Sequence, residues 1–323
     1  MRIFIGPMSK NVVDAVIEFA DRERLPMTLI PSRRQVDWDG GYVEHWTTAG
    51  LSNYVRSRTA RVTIERDHGG PGQGARDDDG LDSLRYDAQL LDIVHVDPWK
   101  KYPGFEDGLR WTVEAINMCY DLNPELSYEV GTEEGIRPFE VDELEQLVFR
   151  LRETLKPQVF AKIKFLVIQC GTRLLEKQNT GTFDADKLRA MLQLCNRFGL
   201  TAKEHNGDWI SANTVKAKRE VGLQCINIAP EFGEIETRVV LDCIGNEASK
   251  FEQFFNICHC SRKWEKWVKP DFIPLDNKLQ TILIAGHYVF SEPSFKAMKE
   301  SLDDVDGKAR ARILARLEEL HLL

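Results

Sequence analysis

The sequence predicts an α/β fold, a (β/α)8 TIM barrel followed by a C-terminal helical extension. Three observations predict it. Eight short, β-branched apolar runs recur along the chain up to about residue 230. Polar or glycine-containing residues and helical patterns separate them, the grammar of βαβ units around a parallel sheet. The sequence contains neither a GxGxxG nor a GxxxxGK[ST] fingerprint, either of which would favour an open nucleotide-binding sheet.

The eight runs are 2–6, 27–31, 61–66, 91–96, 126–131, 164–169, 200–204 and 224–229. Between the first two, Val12, Val13, Val16, Ile17 and Ala20 repeat at helical spacing, which predicts a helix over 11–24. Segments 105–122, 141–155 and 184–198 read the same way, the last with Asp184 to Asp186 as its start. After about Glu231 the pattern changes to long helices, a Trp/Lys segment from Trp264 to Lys269, and an apolar run over 281–285. Residues 1–240 are therefore expected to form the barrel, and 241–323 a helical extension packed on it that supplies loops to the site.

The composition narrows the function. The 323 residues are 42% hydrophobic and 29% charged, ordinary for a globular protein. A net charge of −8 argues against a general nucleic-acid or acidic-membrane surface, while leaving room for a local basic pocket. There is no apolar stretch of the ~18 residues that a membrane helix needs. The N-terminus opens on a strand-like run rather than a basic segment and apolar core, so no signal peptide is expected. The seven cysteines are irregularly spaced, which predicts a reducing, cytoplasmic setting and mostly buried thiols.

In such a barrel the site lies at the C-terminal ends of the strands. Those ends are polar here: Ser32-Arg33-Arg34-Gln35, Asp67-His68-Gly69-Gly70, His95 with Asp97, Glu129 to Glu134, Gln169-Cys170-Gly171-Thr172, His205-Asn206-Gly207-Asp208 and Pro230-Glu231. His68, His205 and one of the glutamates would share one bowl, a donor set suited to a divalent metal such as Zn or Mn. Asp67 beside His68 suits deprotonation of a sugar hydroxyl. Neighbouring strand residues point to opposite sides, so both reach the bowl only if the chain turns, for which Gly69 and Gly70 are available.

Other clusters carry less. Arg33-Arg34 fits an anion clamp and a solvated pair equally well. Asn206-Gly207 and Gly171-Thr172 read as tight turns, Cys258-His259-Cys260 as helix residues, and the loop from Arg76 to Gly80 as solvated. Trp264, Trp267 and Lys269 fit either a lid over substrate or packing between extension and barrel.

The strings IPSRRQVDWDGGYVEHWT (30–47), ERDHGGPGQG (65–74), IVHVDPW (93–99), LSYEVGTEEG (126–135), EHNGDW (204–209) and INIAPEFGEIETR (226–238) resemble the non-catalytic chain family of class II tagatose-bisphosphate aldolase. The resemblance runs in order over residues 1–245. That family is related to class II fructose-bisphosphate aldolases, which are zinc-dependent barrels, and to epimerases acting at C4 of ketoses or their phosphates. The resemblance implies an acid/base role for Asp67, zinc binding by His68 and His205, and a ligand or acid/base role for Glu133. Catalytic aldolases place a further zinc-binding His at the end of the sixth strand, where this chain has Gln169. Gln169 or a carboxylate is expected to take that place.

The expected site thus comprises Asp67, Glu133 and Asp208 as acid/base groups. His68, His205, Glu133 and Gln169 are the expected metal ligands. Ser32, Arg34, Gln35, His95, Asp97, Thr172, Asn206 and Glu231 are expected to bind substrate. The function implied is C4 epimerisation or aldol cleavage of a ketose phosphate, with a non-catalytic subunit of a separate aldolase chain as the alternative. A homo-oligomer or an aldolase partner chain is the expected assembly.

Overall fold

The computed structural model describes residues 1–175 and 178–322. Eight parallel strands close into a barrel: β1 (Arg2–Ile5), β2 (Met27–Leu29), β3 (Val62–Gly69), β4 (Ile93–Val96), β5 (Ser127–Val130), β6 (Ile163–Ile168), β7 (Thr201–Glu204) and β8 (Cys225–Ile228). Each pairs with its sequence neighbours, and β8 closes on β1 with Arg2 opposite Cys225 and Ile5 opposite Ile228. All eight fall on the predicted runs and differ only at their ends. An antiparallel hairpin, Leu174–Leu175 with Gln178–Asn179, lies in the loop after β6.

The two-residue alternation of a strand sorts side chains between the barrel interior and the surrounding helices. Phe4, Ile30, Phe165 and Cys225 form an apolar cluster of their own, with the rings of Phe4 and Phe165 edge to face at 5.7 Å. Lys203 Nζ lies 4.2 Å from the Phe4 ring centre and holds Glu65 and Glu129. Two residues beyond Glu65 and Lys203 stand Asp67 and His205, and His95 of β4 lies opposite Glu129. The interior is therefore layered: apolar, then charged, then the polar mouth.

The helices form where the apolar stripes predict them. Helix Lys10–Glu23 is capped by Ser9, whose side chain accepts from the Val12 amide, and it buries Val12, Val13, Val16, Ile17 and Ala20. Helix Ala185–Phe198 starts at the Asp184 cap and stops at Gly199 in the left-handed region. The apolar run over 281–285 lies within helix Lys278–Val289. Every residue from Thr281 to Val289 is buried, so beyond its first turn that helix shows no solvent-facing side. The last helix, Val305–Leu322, returns to the barrel and packs Ile313, Leu317 and Leu320 into the core that holds Val12 and Val16. Five of the seven cysteines are buried and none is in a disulfide. No helix among the described residues is long and apolar enough to cross a membrane.

One buried cation organises the long loop that follows β2. Arg66 points out of the barrel, fully buried, and grips both oxygens of Asp87 at 2.7 Å. The same guanidinium donates to the carbonyls of Pro31 and Val36 at 2.8 and 2.7 Å. The loop bearing Ser32, Arg34 and Gln35 is thus tied to β3. Arg66→Ala leaves Asp87 charged in the core and two carbonyls without donors, a change of the kind that costs about 3–5 kcal/mol. Urea denaturation is expected to read a loss of that size, and a loss under ~1 kcal/mol would contradict this role.

Candidate metal centre and pocket

Asp67, His68, His95 and His205 converge at the mouth of the barrel, each offering one ligand atom, all within 4.8 Å of one another. Asp67 and His68 are adjacent in sequence, yet both take part. Between the pairs Arg66–Val94 and Gly69–Val96, two residues of β3 face the single residue His95 of β4. This β-bulge, with His68 in the left-handed region at φ 49°, turns both side chains inward. The turn therefore lies within the Asp-His pair, ahead of the glycines expected to make it. Gly69 and Gly70 serve close approach instead: a Cβ on either would lie 2.8 and 2.2 Å from the carbonyl oxygens of His95 and Asp97. Beyond β7, Asn206 is also left-handed, at φ 59°.

Each imidazole is fixed through one nitrogen. His68 Nδ1 pairs with Asp97 at 2.6 Å, His95 Nε2 with the Gly131 carbonyl at 2.9 Å, and His205 Nε2 with Glu129 at 2.9 Å. The other nitrogens, His68 Nε2, His95 Nδ1 and His205 Nδ1, lie 3.8, 3.9 and 3.8 Å from Asp67 Oδ1. His95 Nδ1 also accepts from the His68 amide at 3.2 Å. Three imidazoles, each oriented by a carboxylate or carbonyl behind it, plus one carboxylate suit a divalent ion such as zinc.

Burial dominates the electrostatics. It pushes His95 and His205 well below the usual histidine range, leaving neutral imidazoles. Burial opposes charge on His68 too, but Asp67 beside it and the hydrogen bond to Asp97 hold it up to about 10. Burial raises Asp67 to about 6, against the pull of His68 and Lys203. Asp97 stays below the usual carboxylate range despite burial, because His68 bonds to it, and Thr132 and Gln73 also donate to it.

The mouth opens into a pocket of about 290 Å³. Ser32, Arg34, Gln35, Glu133 and Asn206, all expected at the site, line it with Asp67 and His68. Glu133 accepts from the Asn206 side chain. Other expected residues stand elsewhere. Gln169 accepts from the Phe139 amide and donates to the carbonyls of Thr132 and Arg137, so its amide links loops. Asp208 accepts from the amides of Ala229 and Glu231 at the start of helix Pro230–Ile244. Thr172 bonds Glu204, and Glu231 joins the Trp209 amide to Arg316. Arg33 is buried and paired with Asp37 and Asp78, so that loop is not simply solvated. Of the Trp/Lys segment, Trp267 reaches the pocket, whereas Trp264 packs on His259 and Phe272.

With the geometry established, solved structures provide a comparison. A probable tagatose 6 phosphate kinase from Sinorhizobium meliloti 1021 matches with a TM-score of 0.81 at 13% identity, over 99% of this chain and 98% of that one. The YdjI aldolase from Escherichia coli K12 matches with a TM-score of 0.56 at 14% identity, over 95% and 93% of the two chains. The fructose-bisphosphate aldolase from Campylobacter jejuni matches with a TM-score of 0.55 at 11% identity, over 99% and 89%. The chain shares the (β/α)8 barrel fold of these structures. At these identities the likeness is one of fold alone, and no family description and no curated protein matches in sequence.

Two features of the site were not read from the sequence: the place of His95, expected to bind substrate, in the ligand group, and the buried Lys203. His95 follows Ile93 at the two-residue spacing of an interior face, which is the signal that adds it to the ligand group. Lys203 lies within the predicted run 200–204 and is fully buried between Glu65 at 2.8 Å and Glu129 at 2.6 Å. Burial, and then the neighbouring Glu129, push Glu65 well above the usual carboxylate range, while the two carboxylates keep Lys203 charged. Lys203→Met removes that counter-charge and is expected to cost about 3–5 kcal/mol near neutral pH. A carboxyl that titrates higher folded than unfolded binds protons preferentially in the folded state, so the deficit shrinks as pH falls from about 7 to about 5. Urea denaturation at both pH values reads this; a deficit that grows in acid would contradict it.

Proposed function

We propose that the protein is a metal-dependent carbohydrate epimerase or aldolase-type lyase acting on a ketose phosphate, with C4 epimerisation by retro-aldol and aldol steps favoured. One observation carries the reading. Three imidazole nitrogens and the Asp67 carboxylate face one point, and the opposite nitrogen of every ring is already held. His68, His95 and His205 would hold the ion, with Asp67 beside it. When bound, a divalent cation supplies Lewis-acid polarisation of a carbonyl and its neighbouring hydroxyl.

The chain's own groups account for the proton movements. Asp67 takes the C4 hydroxyl proton as the C3–C4 bond breaks, and the bond electrons pass into the C2 carbonyl. The aldehyde rotates within the pocket, the bond re-forms on its other face, and Asp67 returns the proton. Glu133, which accepts from the Asn206 side chain, would serve as the second acid/base group. Release of the aldehyde before re-addition gives cleavage instead, so retention of both fragments separates epimerase from lyase.

Metal content of protein purified without chelator tests the centre. About one Zn or Mn per chain is expected, lost on His68→Ala, His95→Ala or His205→Ala, in keeping with catalytic sites that hold the ion by three protein ligands. Protein that holds no metal and acquires none from added Zn²⁺ or Mn²⁺ overturns the reading. Asp67→Asn is expected to keep the metal and lower turnover of an epimerised ketose phosphate by about 10²–10⁴-fold.

The second reading is a subunit that stabilises a separate aldolase chain. It draws on Gln169, whose amide links backbone loops at the place where the aldolases resembled by the sequence carry a metal-binding His. It predicts co-purification with, and activation of, a class II aldolase chain, with no turnover by this protein alone.

A further inference from the structure

The pocket has a second wall that the reaction above does not use. Arg34 comes from the loop after β2, Lys100 from the loop after β4 and Lys266 from the short turn Glu265–Trp267 in the C-terminal helices. All three line the same pocket, although the chain carries a net charge of −8. Among the described residues none is paired with a carboxylate. Arg34 Nε donates to the Gly74 carbonyl at 3.3 Å, and Lys100 Nζ to the Gly72 carbonyl at 2.7 Å. Lys266 Nζ rests against aromatic faces, 4.5 Å from the Trp267 ring centre and 5.4 Å from that of Tyr288. The two carboxylates of the pocket are engaged elsewhere, Asp67 with the histidine group and Glu133 with Asn206. Three convergent cations without counter-charge repel one another, and this is relieved when an anion enters. Burial in the pocket wall, then Arg34 and Lys100, lower the Lys266 pKa from its ordinary value, although water in the open mouth still reaches that side chain.

His287 is a second, independent observation in the same wall. It lines the pocket, is 5% exposed, and neither ring nitrogen has a hydrogen-bond partner. Buried polar atoms without partners are uncommon and point to a group that occupies the space beside them. Its position is built in: a Cβ on Gly233 would lie 2.8 Å from His287 Cβ, so helix Pro230–Ile244 approaches helix Lys278–Val289 closely only because residue 233 lacks a side chain.

We propose that Arg34, Lys100 and Lys266 form a phosphate-binding subsite across the seam between barrel and C-terminal helices, with His287 the neutral hydrogen-bonding group beside it. The proposal rests on the reading of this pocket as a sugar-phosphate site and assigns the phosphate end. Three cations match a phosphate-monoester dianion better than a carboxylate, and both lysines act as point charges that need no planar partner. The subsite also gives the C-terminal helices a part in binding, because Lys266 completes a charge triad that the barrel alone leaves with two members.

Calorimetric titration with inorganic phosphate tests this on the protein as purified, and again after chelator treatment. Wild type is expected to bind phosphate saturably, one per chain, in both preparations. Arg34→Met, Lys100→Met and Lys266→Met are each expected to weaken it about tenfold or more, as for loss of one charge-assisted contact. Lys266→Arg is expected to retain binding, and Lys308→Met, at an exposed site paired with Asp303, to leave it unchanged. D-glucuronate, the carboxylate arm, is expected to bind more weakly than phosphate.

Absence of saturable phosphate binding, or binding that the three Met variants leave intact while thermal melts show them folded, overturns the subsite. Tighter binding of glucuronate overturns the phosphate assignment. Because the titration needs neither metal nor turnover, its outcome is separate from that of the metal and activity assays.

Discussion

A single buried ammonium sets the terms for the barrel interior. Lys203 is enclosed between Glu65 and Glu129, and only an ion pair of this quality lets charged groups stay in a space that excludes water. Its effect reaches the mouth through Glu129, whose second oxygen accepts from His205 Nε2. The ring of His205 is thereby held with Nδ1 facing Asp67. The charge at the centre of the barrel and the geometry at its mouth are one connected system.

The mouth depends on a second local constraint. Strand geometry alone sends Asp67 and His68 to opposite faces, and the bulge at β3 overrides it. The strain of the left-handed His68 is held in place from several sides. Its backbone amide donates to His95, and its ring is fixed by Asp97, which Thr132 and Gln73 hold in turn. Strain at such a position persists only where the surroundings over-determine it. Here they do, through residues from four loops or strands.

The C-terminal helices are bound into the same structure. Helix Val305–Leu322 packs against the first helix, and Arg316 reaches Glu231 at 2.6 Å, while Glu231 also accepts from the Trp209 amide beyond β7. The helices therefore brace the loop that follows His205 as well as closing one side of the pocket with Lys266, Trp267, His287 and Tyr288. Asp208, expected near the chemistry, belongs to this bracing, because its carboxylate holds the start of helix Pro230–Ile244.

The sequence by itself determined the eight strands and the intervening helices, because short apolar β-branched runs and helical stripes are local properties of the chain. It also determined that His68, His205 and Asp67 lie at strand ends on one rim, because strand order and strand polarity follow from the repeat. Only the tertiary structure decided that His95 joins them and that the Gln169 amide bonds to backbone groups of neighbouring loops. A strand-end residue can face the bowl, or turn back to tie loops together, and that choice depends on contacts with Gly131, Phe139, Thr132 and Arg137 far away in sequence. Lys203 and His287 were unreadable for the same reason. The partners of a buried ammonium, or the lack of partners of a buried imidazole, are properties of the space around them, and that space exists only once the barrel has closed and the last helices have packed.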